Sequence, residues 1–384
     1  MVDIQNYEGR EQAYIKHFFF KNYIETLFFR LAERGYKNIA YVDGFSGPWQ
    51  SKNDKFLDTS FGIALNAMQM VKARSKANGR QVNFVAHLVE QDVKAYRKLA
   101  EIPKKFPELS IQTYNDDFLQ VIKPISDAIK IAEYRFVFID PKGWKIDLKS
   151  LSVLLSQQNS EVVFNFMFDF INRFVSHPDP SVLETLDLLF PHTKNWRHKL
   201  SDCIDATERK NLIFELFAEN LSVAGRYDFV SQTEILKPTK DRPLYALFFA
   251  TRHHKGIMEF RNQQIKALKQ QIETRGETKI KAKESRTGQT EMFKNVHEIT
   301  LNVTEGILKS QKEEARQFIL NAIPCKPNYM LYESLVLETA KRFIVKLPDV
   351  NKICNQLKKE GRIEFLNWEK GKKVPHSHYR VQKT

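Results

Sequence analysis

Short apolar runs alternate with longer amphipathic segments through the first two thirds of the chain. The runs are rich in Val, Ile, Phe and Tyr, as strands are, and they are Asn38–Val42, Val82–Val89, Ile111–Tyr114, Phe136–Ile139 and Glu161–Phe168. Helical periodicity is found in residues 11–35 and near 59–76, 92–102, 117–132 and 147–158. Alternating strands and helices predict the α/β class, with a Rossmann-like doubly wound sheet.

Two further features complete this first domain, which we place at residues 1–255. Prolines interrupt a largely helical insertion at about 171–230. The apolar runs Thr233–Leu236 and Leu244–Ala250 lie on either side of a turn-rich segment. They predict an antiparallel hairpin that closes the edge of the sheet.

The last third of the chain has a different pattern. Residues 256–310 are polar, and Glu273–Thr290 has almost no large apolar residues, so we expect a polar helical linker or an exposed loop. In 311–384, three helices precede two strands joined by a basic turn; we place them at 311–322, 331–343, Pro348–Glu360, Arg362–Trp368 and His378–Gln382. This order predicts a C-terminal winged helix-turn-helix domain.

The net charge of +14 is unevenly distributed. Residues 1–255 carry 35 basic and 31 acidic groups, and residues 256–384 carry 25 and 15. The last third therefore has the charge of a segment that binds a polyanion.

The cysteines and the hydropathy indicate the cellular compartment of the protein. Cys203, Cys325 and Cys354 are far apart and form no C-x-x-C motif, which argues against a disulfide framework or a zinc site. The chain has neither a secretory signal pattern nor an apolar run long enough to cross a membrane. We therefore expect a cytoplasmic protein.

The first predicted strand runs directly into a turn of small residues. Asp43, Gly44, Phe45 and Gly47 follow one another where a Rossmann-like fold lets a nucleotide or S-adenosylmethionine approach the backbone. We expect Asp43 to face this ligand. A tight turn without a ligand is an equally good interpretation of the segment alone.

Acids also follow the next two strands. Glu90 ends the second strand, where such folds place an acid on the ribose hydroxyls, and Asp117 and Phe118 follow the third, where an acid can meet the adenine amine. Because Asp is a common helix cap, capping is the alternative role for Asp116 or Asp117.

The fourth strand ends in Asp140, Pro141, Lys142, Gly143 and Trp144. This segment resembles the Asp/Asn-Pro-Pro-aromatic motif of amino-methyltransferases, with Lys142 in place of the second proline and the aromatic ring one position later. The resemblance implies that Asp140 and Pro141 accept hydrogen bonds from a target amine, and that Trp144 stacks on a flipped base. It assigns the catalytic role to these three residues.

Together these motifs resemble the class I S-adenosylmethionine methyltransferases. More narrowly, Tyr41–Pro48, Phe138–Gly143 and Lys240–Thr251 are similar to the three-Cys-motif partner proteins over most of residues 10–260. That resemblance implies an S-adenosylmethionine cofactor and a companion protein with a three-cysteine motif, itself similar to iron–sulfur enzymes. Where this family has Gly, the chain has Trp49, which would block the methionine end of the cofactor or cover it.

The remaining polar motifs have simpler interpretations. Asp169 and Arg173 predict a salt bridge at the exit of the fifth strand, and no histidine has companions at metal-ligand spacing, so we expect no metal site. Six lysines on the third helix and the wing of the C-terminal domain are candidates for nucleic-acid contact: Lys352, Lys358, Lys359, Lys370, Lys372 and Lys373. The alternative is a protein-binding winged helix with solvated lysines.

Three functions remain open at this point. The first is an S-adenosylmethionine-dependent methyltransferase that methylates a base amine in nucleic acid, with the winged helix delivering the substrate. The second is a catalytically inactive scaffold that binds the companion protein or nucleic acid. The third and weakest is a nuclease that holds a metal with Asp43, Asp116, Asp117 and Asp140.

Overall fold

The computed structural model describes residues 3–47, 51, 55–203, 205–287 and 296–384. The chain forms two compact units, Met1–His253 and His254–Thr384. None of the helices in the described parts of the chain is long and apolar enough to cross a membrane.

The first unit is built on a seven-stranded sheet. Its strands are β1 (Asn38–Asp43), β2 (Asn83–Val89), β3 (Ser110–Tyr114), β4 (Tyr134–Ile139), β5 (Ser160–Phe166), β6 (Phe229–Leu236) and β7 (Pro243–Thr251). The order across the sheet is β3-β2-β1-β4-β5-β7-β6, and the first five strands are parallel. Strand β7 is antiparallel to both β5 and β6, and the hairpin of β6 and β7 closes the edge. The predicted α/β class, doubly wound sheet and closing hairpin are confirmed.

Helices cover both faces of this sheet. They are α1 (Glu11–Glu33), α2 (Ser60–Ala77), α3 (Val93–Leu99), α4 (Ile102–Lys105), α5 (Phe118–Ala128), α6 (Leu148–Leu155), α7 (Phe168–Phe174), α8 (Pro180–Asp187), α9 (Trp196–Ser201) and α10 (Ala206–Gly225). On one face, the ring of Phe20 in α1 lies 4.5 Å from that of Phe138 in β4. On the other, the ring of Phe217 in α10 lies 4.3 Å from that of Phe166 in β5. Alternate residues of each strand therefore enter two separate cores.

The fifth strand is shorter than its apolar run predicts. We expected it to reach Phe168, but β5 ends at Phe166 and α7 begins at Phe168. A continuous apolar run fits a buried strand and a buried helix equally well. Phe168 and Ile171, three positions apart, are both buried, as one face of a helix requires.

The second unit begins with two long helices, α11 (His254–Thr287) and α12 (Val296–Ala322). They occupy the segment for which the sequence suggested a helical linker or an exposed loop, and α11 buries Ile257, Phe260 and Ile265. The exposed-loop alternative is wrong there, because Lys, Glu, Gln and Ala favour helix even where few apolar residues occur.

The rest of the second unit encloses a small core. Its elements are β8 (Met330–Leu331), α13 (Tyr332–Arg342), α14 (Leu347–Lys359), β9 (Ile363–Phe365) and β10 (Arg380–Lys383). The three short strands form an antiparallel sheet in the order β8-β10-β9. Leu335, Ile353, Leu357 and Val381 belong to the core between the helices and this sheet. Strand β8 was not predicted, because two residues are too few for a periodic signal.

Candidate active site

The strand order places a topological switch point between β1 and β4. From β1 the chain builds outward to β2 and β3, and then crosses to β4 and β5 on the other side. Ligands of doubly wound folds bind at the carboxyl ends of the strands that flank such a point. The candidate site is therefore the crevice at the ends of β1, β2 and β4.

The turn after β1 is bonded to both neighbouring strands. The amide of Gly44 donates to the carbonyl of Phe138 in β4 at 3.1 Å, and that of Ser46 donates to the carbonyl of Val89 in β2 at 2.7 Å. These bonds fix the path of the backbone where a ligand would approach. Gly47 is partly exposed at the end of the turn, whereas Pro48 and Trp49 lie outside the described residues.

Asp43, which we predicted to face a ligand, is hydrogen-bonded within the turn in this structure. Its side chain is fully buried and accepts hydrogen bonds from the Tyr41 hydroxyl at 2.9 Å, the Ser60 hydroxyl at 2.6 Å and the Phe45 amide at 3.0 Å. Burial raises the pKa of Asp43 to about 6, the Ser60, Phe45 and Tyr41 hydrogen bonds oppose this shift, and the charge of Asp140 adds to it. The Asp43 carboxylate therefore stabilises the turn through buried hydrogen bonds.

Gly44 and Phe118 are in direct contact. A Cβ on Gly44 would lie 2.7 Å from the ring of Phe118, so only glycine fits beneath this ring. Phe118 is buried at the start of α5 and also meets the partly exposed ring of Phe45 edge to face, with 5.7 Å between centroids. In this structure Phe118 and Gly44 pack against each other, and their role in cofactor binding stays a prediction.

The ends of β2 and β3 bring two acids to the crevice. Glu90 is buried and accepts from the Asp92 amide at 2.7 Å, and the Asn115 side chain donates to the Glu90 carbonyl at 2.9 Å. Burial raises the pKa of Glu90, and the charge of Lys142 partly opposes this. Asp117 caps α5 by accepting from the Leu119 amide at 2.8 Å, which is the capping role that we left open.

Asp140, at the end of β4, has two partners that the sequence did not indicate. Lys16 of α1 forms an ion pair with its Oδ2, and the Nδ2 of Asn165 in β5 lies 2.5 Å from its Oδ1. The Asp140 side chain keeps 20% of its surface exposed. Lys16 was not predicted because nothing in the sequence distinguishes it from Lys21, the other lysine of α1, whereas Asn165 carried a signal as a polar residue between two phenylalanines of an apolar strand.

The Oδ1 of Asn165 is the acceptor atom of the amide whose Nδ2 contacts Asp140. It is buried and has no hydrogen-bond partner among the described residues. Because a buried acceptor without a donor is costly, the Asn165 amide lies in a position that favours a donor from outside the chain. Asp140 and Asn165 together provide acceptor oxygens beside a fixed ammonium group.

The residues that follow Asp140 differ in burial and in contacts. Pro141 is buried, and Lys142 is exposed. The Trp144 ring lies 4.7 Å from that of Phe174 in α7, and its Nε1 donates to the Thr185 hydroxyl of α8 at 3.1 Å. These contacts hold Trp144 against the helical insertion, while its use in stacking on a base stays a prediction.

Asp169 is an acid paired with three cationic side chains. Its carboxylate lies 3.6 Å from Arg173, as the sequence predicted, and also 2.8 Å from Lys237 and 3.2 Å from Arg242 in the hairpin turn. Its position in the first turn of α7 adds a favourable interaction with the helix dipole.

The acids of the suggested nuclease site do not converge. Asp43 is bonded inside the turn, and Asp116 is exposed and accepts from the amide of Asp117. The part of the chain that the structure describes contains no group of three His, Cys, Asp or Glu side chains placed to hold a metal ion. The geometry therefore gives the nuclease hypothesis no support.

The six candidate lysines of the second unit differ in their surroundings. Lys352 and Lys359 are exposed on α14, whereas the ammonium of Lys358 lies 3.4 Å from the centroid of the Trp368 ring. Between β9 and β10, Lys370, Lys372 and Lys373 are exposed, and Lys372 lies 3.8 Å from Glu369.

Comparison with known proteins leaves the family open. No protein-family model matches the chain, and no curated protein matches it. Among solved structures, a Legionella pneumophila protein of family DUF519 is 10% identical over 62% of this chain and 84% of its own, with a TM-score of 0.35. Human methyltransferase-like protein 13, solved with SAH, is 12% identical over 65% and 90%, with a TM-score of 0.31.

These TM-scores are too low to identify a family or a function. The methyltransferase-like character of the first unit instead follows from its own sheet. The order β3-β2-β1-β4-β5-β7-β6 with an antiparallel β7 is the order of the class I methyltransferase fold. The first unit has a methyltransferase-like fold.

Proposed function

We propose that the chain is an S-adenosylmethionine-dependent methyltransferase that modifies an exocyclic amine of a base in nucleic acid. The observation that carries this proposal is the environment of Asp140. Its carboxylate lies at the end of β4 beside the switch point, paired with Lys16 and bonded to Asn165. A site that binds an amine needs such acceptors in a fixed orientation.

The crevice contains acceptors that suit the cofactor. Glu90 and Asp117 each accept a backbone hydrogen bond, and a carboxylate has about four acceptor sites, so both retain capacity for a ligand. Glu90 would hold the ribose hydroxyls and Asp117 the adenine amine, with the partly exposed Phe45 and Gly47 beside them. When bound, S-adenosylmethionine supplies a sulfonium methyl group for direct displacement by a neutral amine.

The chain's own residues would orient the amine and stabilise its charge. Positive charge develops on the amine nitrogen as the new bond forms, and the Asp140 carboxylate would stabilise it. Lys16 holds that carboxylate in place, and the Pro141 carbonyl and Asn165 Oδ1 would accept hydrogen bonds from the amine, whose surplus proton would leave to water after transfer. We assign no step to Trp144, because its ring packs on Phe174.

The second unit would bind the nucleic acid. The order α12, β8, α13, α14, β9 and β10 supports a winged helix-turn-helix, with α14 as the recognition helix and residues 366–379 as the wing. The positive charge of residues 256–384 supports contact with phosphates.

Transfer of a labelled methyl group tests this proposal. Full-length protein is incubated with methyl-tritiated S-adenosylmethionine and with double-stranded DNA, single-stranded DNA, RNA or protein, and the modified nucleosides are analysed by mass spectrometry. We expect a methylated base amine with the wild type and with Asp127→Asn, which changes an exposed carboxylate, but not with Asp140→Asn. Label in protein alone, or in none of the acceptors, would contradict the proposal.

A catalytically inactive scaffold is the second candidate. The amides of Gly44, Phe45 and Ser46 are all bonded within the chain, and Phe118 fills the space above Gly44. These features favour a closed turn that needs no cofactor. In that case the chain would bind the three-cysteine-motif companion protein that its sequence implies, and co-purification from the native host with mass spectrometry of bound proteins would detect this partner.

A further inference from the structure

The outer face of α14 carries a groove that the proposed active site does not use. Its volume is about 480 Å³, and it is lined by Pro348, Asn351, Lys352, Asn355, Gln356, Lys359 and Val374. The opposite face of the helix, with Val350, Ile353 and Leu357, is buried in the core of the second unit. The helix therefore presents Pro348, amides and lysines to the groove, and the wing adds Val374.

Two asparagines in this groove are held in opposite orientations. The Nδ2 of Asn355 donates to the backbone carbonyl of Lys373 at 2.9 Å. Because a carbonyl can only accept, Asn355 must direct its nitrogen at the wing, and its oxygen is left for the groove. The Oδ1 of Asn351 accepts from the buried hydroxyl of Tyr332 at 2.5 Å, which leaves the nitrogen of Asn351 as a donor.

The groove thus combines an amide donor at Asn351, an acceptor at Asn355 whose orientation the Lys373 carbonyl fixes, and the apolar side chains of Pro348 and Val374. Asn351 and Asn355 are four residues apart, so they lie one above the other on the same face of the helix. Val374, on the wing, is 46% exposed beside them. An A·T base pair presents in the major groove an acceptor and a donor on adenine and a methyl group on thymine, whereas a G·C pair has no methyl group.

We propose that α14 enters the major groove of double-stranded DNA, and that Asn351 and Asn355 with Val374 recognise an A·T base pair. This inference rests on the nucleic-acid-binding part of the proposed function. Lys352 and Lys359 flank the two asparagines and contact the phosphates.

Two observations favour duplex DNA over other nucleic acids. The major groove of an RNA duplex is too narrow and deep to admit a helix. Single strands are bound largely by stacking on aromatic rings, and the ammonium of Lys358 lies over the ring of Trp368.

The test uses full-length protein and a library of random DNA duplexes. Bound duplexes are selected and sequenced, and fluorescence anisotropy then compares the selected duplex with one in which its preferred A·T pair is G·C. We expect the wild type to prefer the A·T duplex by about tenfold. Asn351→Leu abolishes this preference, whereas Asn328→Leu, an exposed asparagine outside the groove, retains it.

A lysine variant distinguishes base recognition from general binding to nucleic acid. Lys359→Gln should weaken binding to both duplexes equally and lower the salt dependence by about one phosphate contact. Circular dichroism checks that each variant folds. We choose Asn351→Leu rather than a variant of Asn355, because Asn355 is hydrogen-bonded to the wing at Lys373 and Asn351 is not.

Three results would overturn the inference. Equal binding of A·T and G·C duplexes, or a preference that survives Asn351→Leu, removes the base recognition but leaves nucleic-acid binding. Tighter binding to RNA or single strands also overturns it. No salt-dependent binding to any nucleic acid overturns both this inference and the nucleic-acid part of the proposed function.

Discussion

The side chain of Asn165 donates a hydrogen bond to the carboxylate of Asp140 across the ends of two neighbouring strands. The distance is 2.5 Å, and the bond fixes which half of the Asn165 amide is left as an acceptor. Lys16 holds the other carboxylate oxygen from α1. Three elements distant in sequence therefore determine the orientation of one acid.

The ion pair of Lys16 with Asp140 is expected to matter for transfer more than for cofactor binding. Lys16→Met leaves Asp140 without its fixed cation, so the acceptor amine is less well oriented, and we expect kcat for methyl transfer to fall by about tenfold to a hundredfold. The KM for S-adenosylmethionine should stay unchanged. Steady-state kinetics with labelled cofactor measures both.

Lys21→Met is the matched control for this variant. Lys21 lies on the same helix and pairs with Glu25 at 2.8 Å, away from Asp140. Its activity should equal that of the wild type. Equal losses in the two variants, or a loss confined to the KM for the cofactor, would show that Lys16 does not position Asp140.

Asp43 makes stability depend on pH. Its folded-state pKa of about 6 lies above the ordinary value of 3.8, so the folded chain holds this proton more tightly than the unfolded chain. Protonated Asp43 therefore stabilises the folded chain at low pH. This stabilisation, about 3 kcal/mol, is lost as pH rises through about 6. Asp43→Asn removes the titration, so its stability relative to wild type should rise by about this amount from pH 4 to pH 7.

Denaturant unfolding at several pH values measures this difference. Asp127→Asn serves as the control, because its two lysine partners lower the pKa of Asp127 to about 2, below the range of the experiment. Its stability relative to wild type should stay constant over the same range. A constant difference for Asp43→Asn as well would mean that folding does not raise the pKa of Asp43.

The contact between Gly44 and Phe118 predicts an unusual response to alanine. In Gly44→Ala the new methyl group would lie 2.7 Å from the Phe118 ring, so the packed core must shift. We expect a loss of about 1–3 kcal/mol in the free energy of unfolding. Gly44→Ala with Phe118→Leu should recover part of this loss, because the two residues are in contact.

Gly306→Ala is a control that is expected to raise the free energy of unfolding. A Cβ at Gly306 in α12 meets nothing within 4 Å, so alanine should stabilise the helix by up to about 1 kcal/mol. Thermal unfolding of the full chain reports both effects. A neutral Gly44→Ala would show that Phe118 moves freely and leaves room above the turn.

The fold was largely predictable because its signals are local. The apolar runs of β1 and β4 alternate with helices of clear periodicity, and this rhythm determines the doubly wound class. The end of β5 was not predictable, because Phe166 and Phe168 belong to one apolar run that two structures can bury. Helix α11 was only partly predicted, since its polar composition also suits a loop.

The candidate site was predictable only in part. The sequence placed Glu90, Asp117 and Asp140 after the ends of β2, β3 and β4, where the structure also has them. The sequence could not show that Asp43 faces inward, because this depends on the Ser60 hydroxyl from α2. Nor could it indicate Lys16, whose role depends on how α1 packs against the sheet.

Binding of S-adenosylmethionine to the purified full-length protein tests the central claim most directly. Isothermal calorimetry should show saturable binding to the wild type and to Glu101→Gln, an exposed carboxylate, and affinity lower by about tenfold or more for Glu90→Gln, which loses a charged acceptor for the ribose hydroxyls. No heat with either S-adenosylmethionine or its demethylated product at millimolar concentration would contradict the methyltransferase account and leave the scaffold.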